Sequence, residues 1–119
     1  MRYLCLIHWD EEQAFARPKE ELAGFFAAHR DFNEKLTEKG QYVVSLPLQK
    51  AASAAIVRLR NGRIDVTDGP FIETEEQIAG FYLIEAATLD EAIEIASHIP
   101  VAAHGTIEIR PCRDCAPAG

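Results

Sequence analysis

The spacing of apolar residues changes its period along this chain, and each change predicts an element. Across the first residues Tyr3, Cys5 and Ile7 alternate with their neighbours, a strand pattern over about residues 2–9. Asp10-Glu11-Glu12 interrupts it and predicts an acidic loop. The spacing then becomes helical. Leu22, Phe25, Phe26, His29, Phe32, Asn33 and Leu36 fall on one face of a helix over residues 18–39. Pro18 suits its first turn, Gly40 suits its stop, and Lys35 and Lys39 favour its negative dipole end. Strand patterns follow at residues 41–49 (broken by Pro47), 54–60, 63–67 and 80–86. Asn61-Gly62 joins the second and third of these as a hairpin turn. Thr88, with Glu91 three residues on, reads as a capping box opening a second helix that ends near His98, before Pro100. Residues 106–110 form the last strand.

Without the Asn61-Gly62 hairpin the order is βαββαβ, a ferredoxin-like α+β frame with two helices on one face of an antiparallel sheet and an inserted hairpin. Phe81-Tyr82-Leu83-Ile84 and Tyr42-Val43-Val44 are apolar at consecutive positions, so both sheet faces are expected to be covered. One chain of 119 residues has no further element for the second face, and a homodimer packed sheet against sheet is the economical solution. Residues 1–111 form one domain and 112–119 a loose tail.

Charge narrows the partners. The net charge of -7 disfavours nucleic-acid phosphates and anionic membrane, and no apolar run approaches the roughly 20 residues of a membrane helix. With no secretory leader pattern, the expected location is cytoplasmic. Of the three cysteines, Cys5 is expected as a buried thiol. Cys112 and Cys115 form a single C-x-x-C after the last strand, without the second pair a zinc site needs or the helix start a redox pair uses. No H-x-x-x-H spacing points to a metal.

Between the third and fourth of these strands lies Asp68-Gly69-Pro70-Phe71, a stiff corner: Gly69 permits positive φ and Pro70 fixes its own. The segment Val66-Thr-Asp-Gly-Pro-Phe-Ile-Glu-Thr-Glu-Glu-Gln-Ile-Ala-Gly-Phe-Tyr-Leu-Ile84 resembles the signature of the YCII-related proteins, in particular their DGPF branch. Met1-Arg-Tyr-Leu4, Leu89-Asp-Glu-Ala92 and Ile107-Glu-Ile-Arg-Pro111 extend the likeness over nearly the whole chain. The resemblance implies the dimeric α+β barrel fold but no settled activity. Relatives are often encoded beside, or fused to, sigma factors. Founding members of the wider superfamily pair a histidine on the first helix with an aspartate near the end of the second. His29 takes the histidine's place by its spacing to Gly40, whereas Ile99, not aspartate, precedes Pro100.

His29 is therefore the first candidate for acid–base work, with a half-buried structural histidine as the alternative. Asp68 is the leading carboxylate to orient it, and otherwise a turn-former. Glu73, nearest the corner in the run Glu73-Thr74-Glu75-Glu76, is the third; such runs are usually solvated faces. His8, His98, His104, Arg58, Arg60 and Tyr82 are weaker candidates. Two functions follow from these residues taken together with what the resemblance implies. One is a cofactor-independent pocket between the sheet and the first helix, using His29 with Asp68 or Glu73 on a small cyclic or carbonyl molecule. The other is a non-enzymatic ligand-sensing or protein-interaction module linked to sigma factors.

Overall fold

The computed structural model describes residues 1–114. Its elements are β1 (Arg2–Trp9), α1 (Glu11–Phe15), α2 (Lys19–Glu38), β2 (Tyr42–Pro47), β3 (Ala55–Arg60), β4 (Arg63–Asp68), β5 (Gln77–Glu85), α3 (Leu89–Ser97) and β6 (Thr106–Pro111), with short 3-10 turns at Ala51–Ser53 and Pro100–Ala103. β2, β5, β1 and β6 make one antiparallel sheet in that order, the ferredoxin-like arrangement. β3 and β4 form a separate two-stranded ladder, the inserted hairpin. Asn61 and Gly62 turn it with φ of 50° and 74°, as the type I′ hairpin preference requires.

The core lies between the sheet and the helices. Tyr3, Cys5 and Ile7 of β1 and Tyr82 and Ile84 of β5 point to one side, where Leu36, Ala92, Ile95 and Ala96 meet them. Burial pushes the Cys5 thiol up to about 11, and the neighbouring Cys112 adds to that. Leu4, Leu6, Phe81 and Leu83 point to the other side, over which no element of the described chain is laid; they are only partly buried.

Several local details differ from expectation. Asp10-Glu11-Glu12 does not form a loop: Asp10 caps α1, its side chain accepting from Gln13 N at 3.1 Å, and Glu11 and Glu12 suit the positive helix end. β5 begins three residues before the expected start, because Gln77 and Ile78 pair with Trp9 and His8. Only half of the capping box forms at α3. Thr88 Oγ1 accepts from Glu91 N at 3.2 Å, while the Glu91 carboxylate accepts instead from Gln41 Nε2 at 3.1 Å. Thr88→Ala is expected to cost about 1 kcal/mol of stability, read by urea denaturation. The tail stays only partly in view: Cys112 N bonds Arg2 O at 3.0 Å, and Cys115 lies outside the described residues.

Candidate functional site

A cleft of about 1030 Å³ opens between α2 and the β2–β5 edge of the sheet. Its walls are aromatic, with Trp9, Phe15, Phe25 and Phe26 prominent among them. Trp9 and Phe15 meet edge to face at 5.8 Å between ring centroids. Lys50 and Arg30 supply positive charge at the margin, and Lys50 Nζ sits 4.8 Å over the Phe15 ring.

The polar floor is a chain of hydrogen bonds that two pieces of local geometry assemble. His29 and Asn33 are four apart on α2, so they face the same way. Tyr42 and Ser45 are three apart on β2, and a regular strand would point them to opposite faces. The register shifts between Tyr42 and Val44, so that Tyr42 lies opposite Ile84 and Ser45 opposite Tyr82. That bulge returns both hydroxyls to the cleft side, where Tyr42 Oη and Ser45 Oγ are 2.8 Å apart. Tyr82 stands at the centre. Its hydroxyl lies 2.7 Å from His29 Nδ1 and donates to Asn33 Oδ1 at 2.7 Å, while Asn33 Nδ2 reaches Ser45 Oγ at 3.5 Å.

A proton inventory gives this chain a direction. Tyr82 has one hydroxyl proton, and Asn33 Oδ1 receives it. Toward His29 the phenol oxygen is therefore an acceptor, so Nδ1 carries the imidazole proton and Nε2 is left with the lone pair. Burial lowers the His29 pKa from 6.5, which keeps the ring neutral near pH 7. Burial also pushes the Tyr82 phenol up to about 12, and the neighbouring Ser45 and Asn33 side chains offset only part of that rise. Tyr82 accordingly remains protonated at neutral pH and orients the imidazole rather than competing with it for protons. The ring planes of His29 and Tyr82 lie 25° apart with centroids at 5.8 Å.

The three site residues expected from sequence do not come together in this chain. His29 lines the cleft. Asp68 ends β4, opposite Ala55, exposed to solvent, and does not line the cleft; Gly69 turns beside it at φ 98°. Glu73 is exposed and lines a second, acidic cleft together with Glu11 and Glu76. Two carboxylates of that cleft have structural partners: Glu11 accepts from Ala51 N at 2.7 Å, and Glu76 from Thr106 at 2.8 Å. His104 stands edge-on to Phe25 at 5.4 Å and 3.3 Å from Arg17, His8 is 3.5 Å from Glu108, and His98 bonds the Glu94 carbonyl at the end of α3. Arg58 and Arg60 are exposed on the hairpin, with Arg58 over Phe71. Among the described residues, no three His, Cys, Asp or Glu side chains gather as a metal site. No described helix is long and apolar enough to cross a membrane. Asn33 and Ser45 were not among the expected site residues. Asn33 carried a signal, its place four residues beyond His29; Ser45 carried none, because the bulge that turns it inward leaves no mark in the apolar pattern.

Comparison with known proteins agrees with this architecture. The family model described as the YCII-related domain matches residues 1–116. An uncharacterised protein of Rhizobium meliloti (strain 1021) is 37% identical over 113 residues, covering 93% of this chain and 91% of that protein. Among solved structures, the chain is similar to 5-chloro-2-hydroxyhydroquinone dehydrochlorinase (TftG) from Burkholderia phenoliruptrix AC1100, in complex with 2,5-dihydroxybenzoquinone. The TM-score is 0.53 at 19% identity, over 95% of this chain and 94% of the other, and the likeness is one of fold.

Proposed function

The chain belongs to the YCII-related family, and from that premise and the geometry of its cleft we propose that it is a homodimeric, cofactor-independent enzyme. It acts on a small planar molecule by proton transfer at His29. The observation that carries the reading is the Asn33–Tyr82–His29 chain, which presents a neutral imidazole with an uncommitted Nε2 at the floor of an aromatic cleft. A general base works best when its pKa lies near the working pH and its ring is held in one tautomer. Tyr82 and Asn33 supply the orientation expected of Asp68 or Glu73. The aromatic walls favour a flat ring, and Lys50 and Arg30 favour an oxygen that carries negative charge after the proton leaves. Removal of a proton from a phenol, or from carbon beside a carbonyl, fits all three features.

The dehydrochlorinase of similar fold suggests a probe. 2,5-Dihydroxybenzoquinone, a set of substituted hydroquinones and a set of cyclic 1,3-diketones are to be screened by thermal shift and calorimetry between pH 5 and 8. At least one class is expected to bind the wild type, with binding weakened by Phe26→Ala, whose ring is 63% exposed at the cleft and not needed for folding. Failure of every class across that range, or binding indifferent to Phe26→Ala, sinks the cleft as a site for planar ligands.

A further inference from the structure

The β3–β4 hairpin is amphipathic in the wrong place for a lone chain. Its register puts Val57 opposite Val66 and Leu59 opposite Ile64 on one face, and Arg58 opposite Asp65 and Arg60 opposite Arg63 on the other. That alternation is the pattern of a sheet with one face buried. Yet Val57, Leu59, Ile64 and Val66 are 65%, 63%, 73% and 58% exposed. A two-stranded ladder whose apolar face meets only water is marginally stable. Something has to cover it.

We propose that a second copy of this chain covers it: the hairpin is an arm laid across the partner's body, and each copy gives one arm and receives one. The proposal rests on the homodimer reading and adds which element makes the contact. Three observations favour a second copy over a foreign protein. First, the same chain carries another uncovered apolar face, Leu4, Leu6, Phe81 and Leu83 of the main sheet, edged by Val44 and Leu46, so a two-fold exchange removes both faces from water at once. Second, the protomer is shaped for a partner. Its extents are 52 × 48 × 19 Å and its radius of gyration is 16.5 Å, against ~13–14 Å for a compact domain of this length. Third, the charges are complementary. The arm carries three arginines (Arg58, Arg60, Arg63) against two aspartates (Asp65, Asp68), while the chain as a whole has net charge -7, so an arm is drawn to another copy's acidic body.

Arm docking reaches the cleft. The segment between β2 and β3 includes Leu48, Lys50 and Ser53, which line the cleft margin. Leu48 N is tied to Ala79 O at 2.8 Å at one end, and Gly69 N to Ala54 O at 2.7 Å at the root of the arm. A partner that holds the arm therefore holds the margin of the site.

Sedimentation velocity and amide hydrogen exchange over a dilution series test the proposal. The wild type is expected to be a dimer in which the amides of residues 55–68 are protected and lose protection together with the 48–53 segment on dilution to monomer. Val57→Lys with Ile64→Lys is expected to weaken dimerisation by about 100-fold or more, since both side chains count twice across the two-fold. Val57→Thr with Ile64→Thr, a milder pair, should weaken it less while circular dichroism stays unchanged. A wild-type dimer whose hairpin amides exchange as fast as in the monomer, or whose dissociation constant ignores both double variants, overturns the arm and leaves the homodimer standing. A wild type that is monomeric at its highest soluble concentration removes the homodimer reading and the arm with it. If the lysine pair fails to fold, the exchange pattern of the wild type decides alone.

Discussion

Replacing His29 by alanine is expected to lower turnover by about 10²–10⁴-fold while leaving the fold intact. The imidazole is half-buried and its one hydrogen bond goes to Tyr82, which keeps Asn33 as a partner when the ring is gone. No core side chain is lost. What disappears is the lone pair at Nε2, and no other described side chain at the cleft replaces it. Tyr82 cannot, because its phenol is pushed up to about 12 and stays protonated. The pH dependence follows from the direction of the His29 shift. Burial depresses the folded pKa below 6.5, so the unfolded chain takes up the proton first as pH falls. The stability that His29 contributes is present above pH 6.5, is lost as pH falls from there through the lower folded pKa, and levels off below it. With His29 as the proposed base, turnover is expected to show an acid limb in the same window, since only the neutral ring accepts a proton. Turnover and urea denaturation measured from pH 5 to 8 check both. In the alanine variant the acid limb vanishes along with the rate, and the stability profile loses its His29 slope. A variant with wild-type turnover and an unchanged acid limb would assign the chemistry elsewhere.

The place of His29 on the cleft face of α2 was legible because the evidence for it is local: helical spacing sets it on that face. The carboxylate assigned to it was not. Asp68 opens a rigid corner and Glu73 follows it, and a corner in sequence says how the chain turns but not where it lies against the rest of the molecule. The hairpin carries that corner, and its main packing is within itself, so no pattern within the protomer fixes its direction. Ser45 was hidden for another reason. Strict alternation places it and Tyr42 on opposite faces, and a one-residue bulge reverses that without changing the apolar count. The frame of strands and helices, by contrast, follows from periods of two and 3.6 read over many residues, where one local irregularity shifts an end without altering the order. β5 shows such a shift, its start moved to Gln77 while its partners remain those of the expected topology.

Gly105→Ala is expected to be among the most damaging single-methyl additions in the chain, at about 3 kcal/mol, the upper part of the range for overpacking. The cause is steric and not conformational. Gly105 leads into β6, whose Thr106 pairs with His8. A Cβ there would run into the carbonyl oxygen of His8 and lie 3.3 Å from both its carbonyl carbon and Trp9 Cβ. The obstacle is backbone of the central strand, which cannot rotate aside as a side-chain end would. β6 must move away from β1, or β1 must bend at His8–Trp9, and either breaks ladder contacts. At ~4 °C per kcal/mol for a domain of this size, the melting temperature falls by ~10 °C or more. The change also reaches the cleft, because Trp9 is part of its wall and meets Phe15 edge to face. Ligand affinity should therefore fall with stability, although no cleft residue is altered. Gly24→Ala is the matched control. An added Cβ there meets nothing within 4 Å on an exposed turn of α2, so helix propensity alone acts and the variant gains up to about 1 kcal/mol. Denaturation of the two variants side by side separates the effects: opposite signs are expected, and a Gly105→Ala protein as stable as the wild type would mean that β6 does not approach β1 this closely.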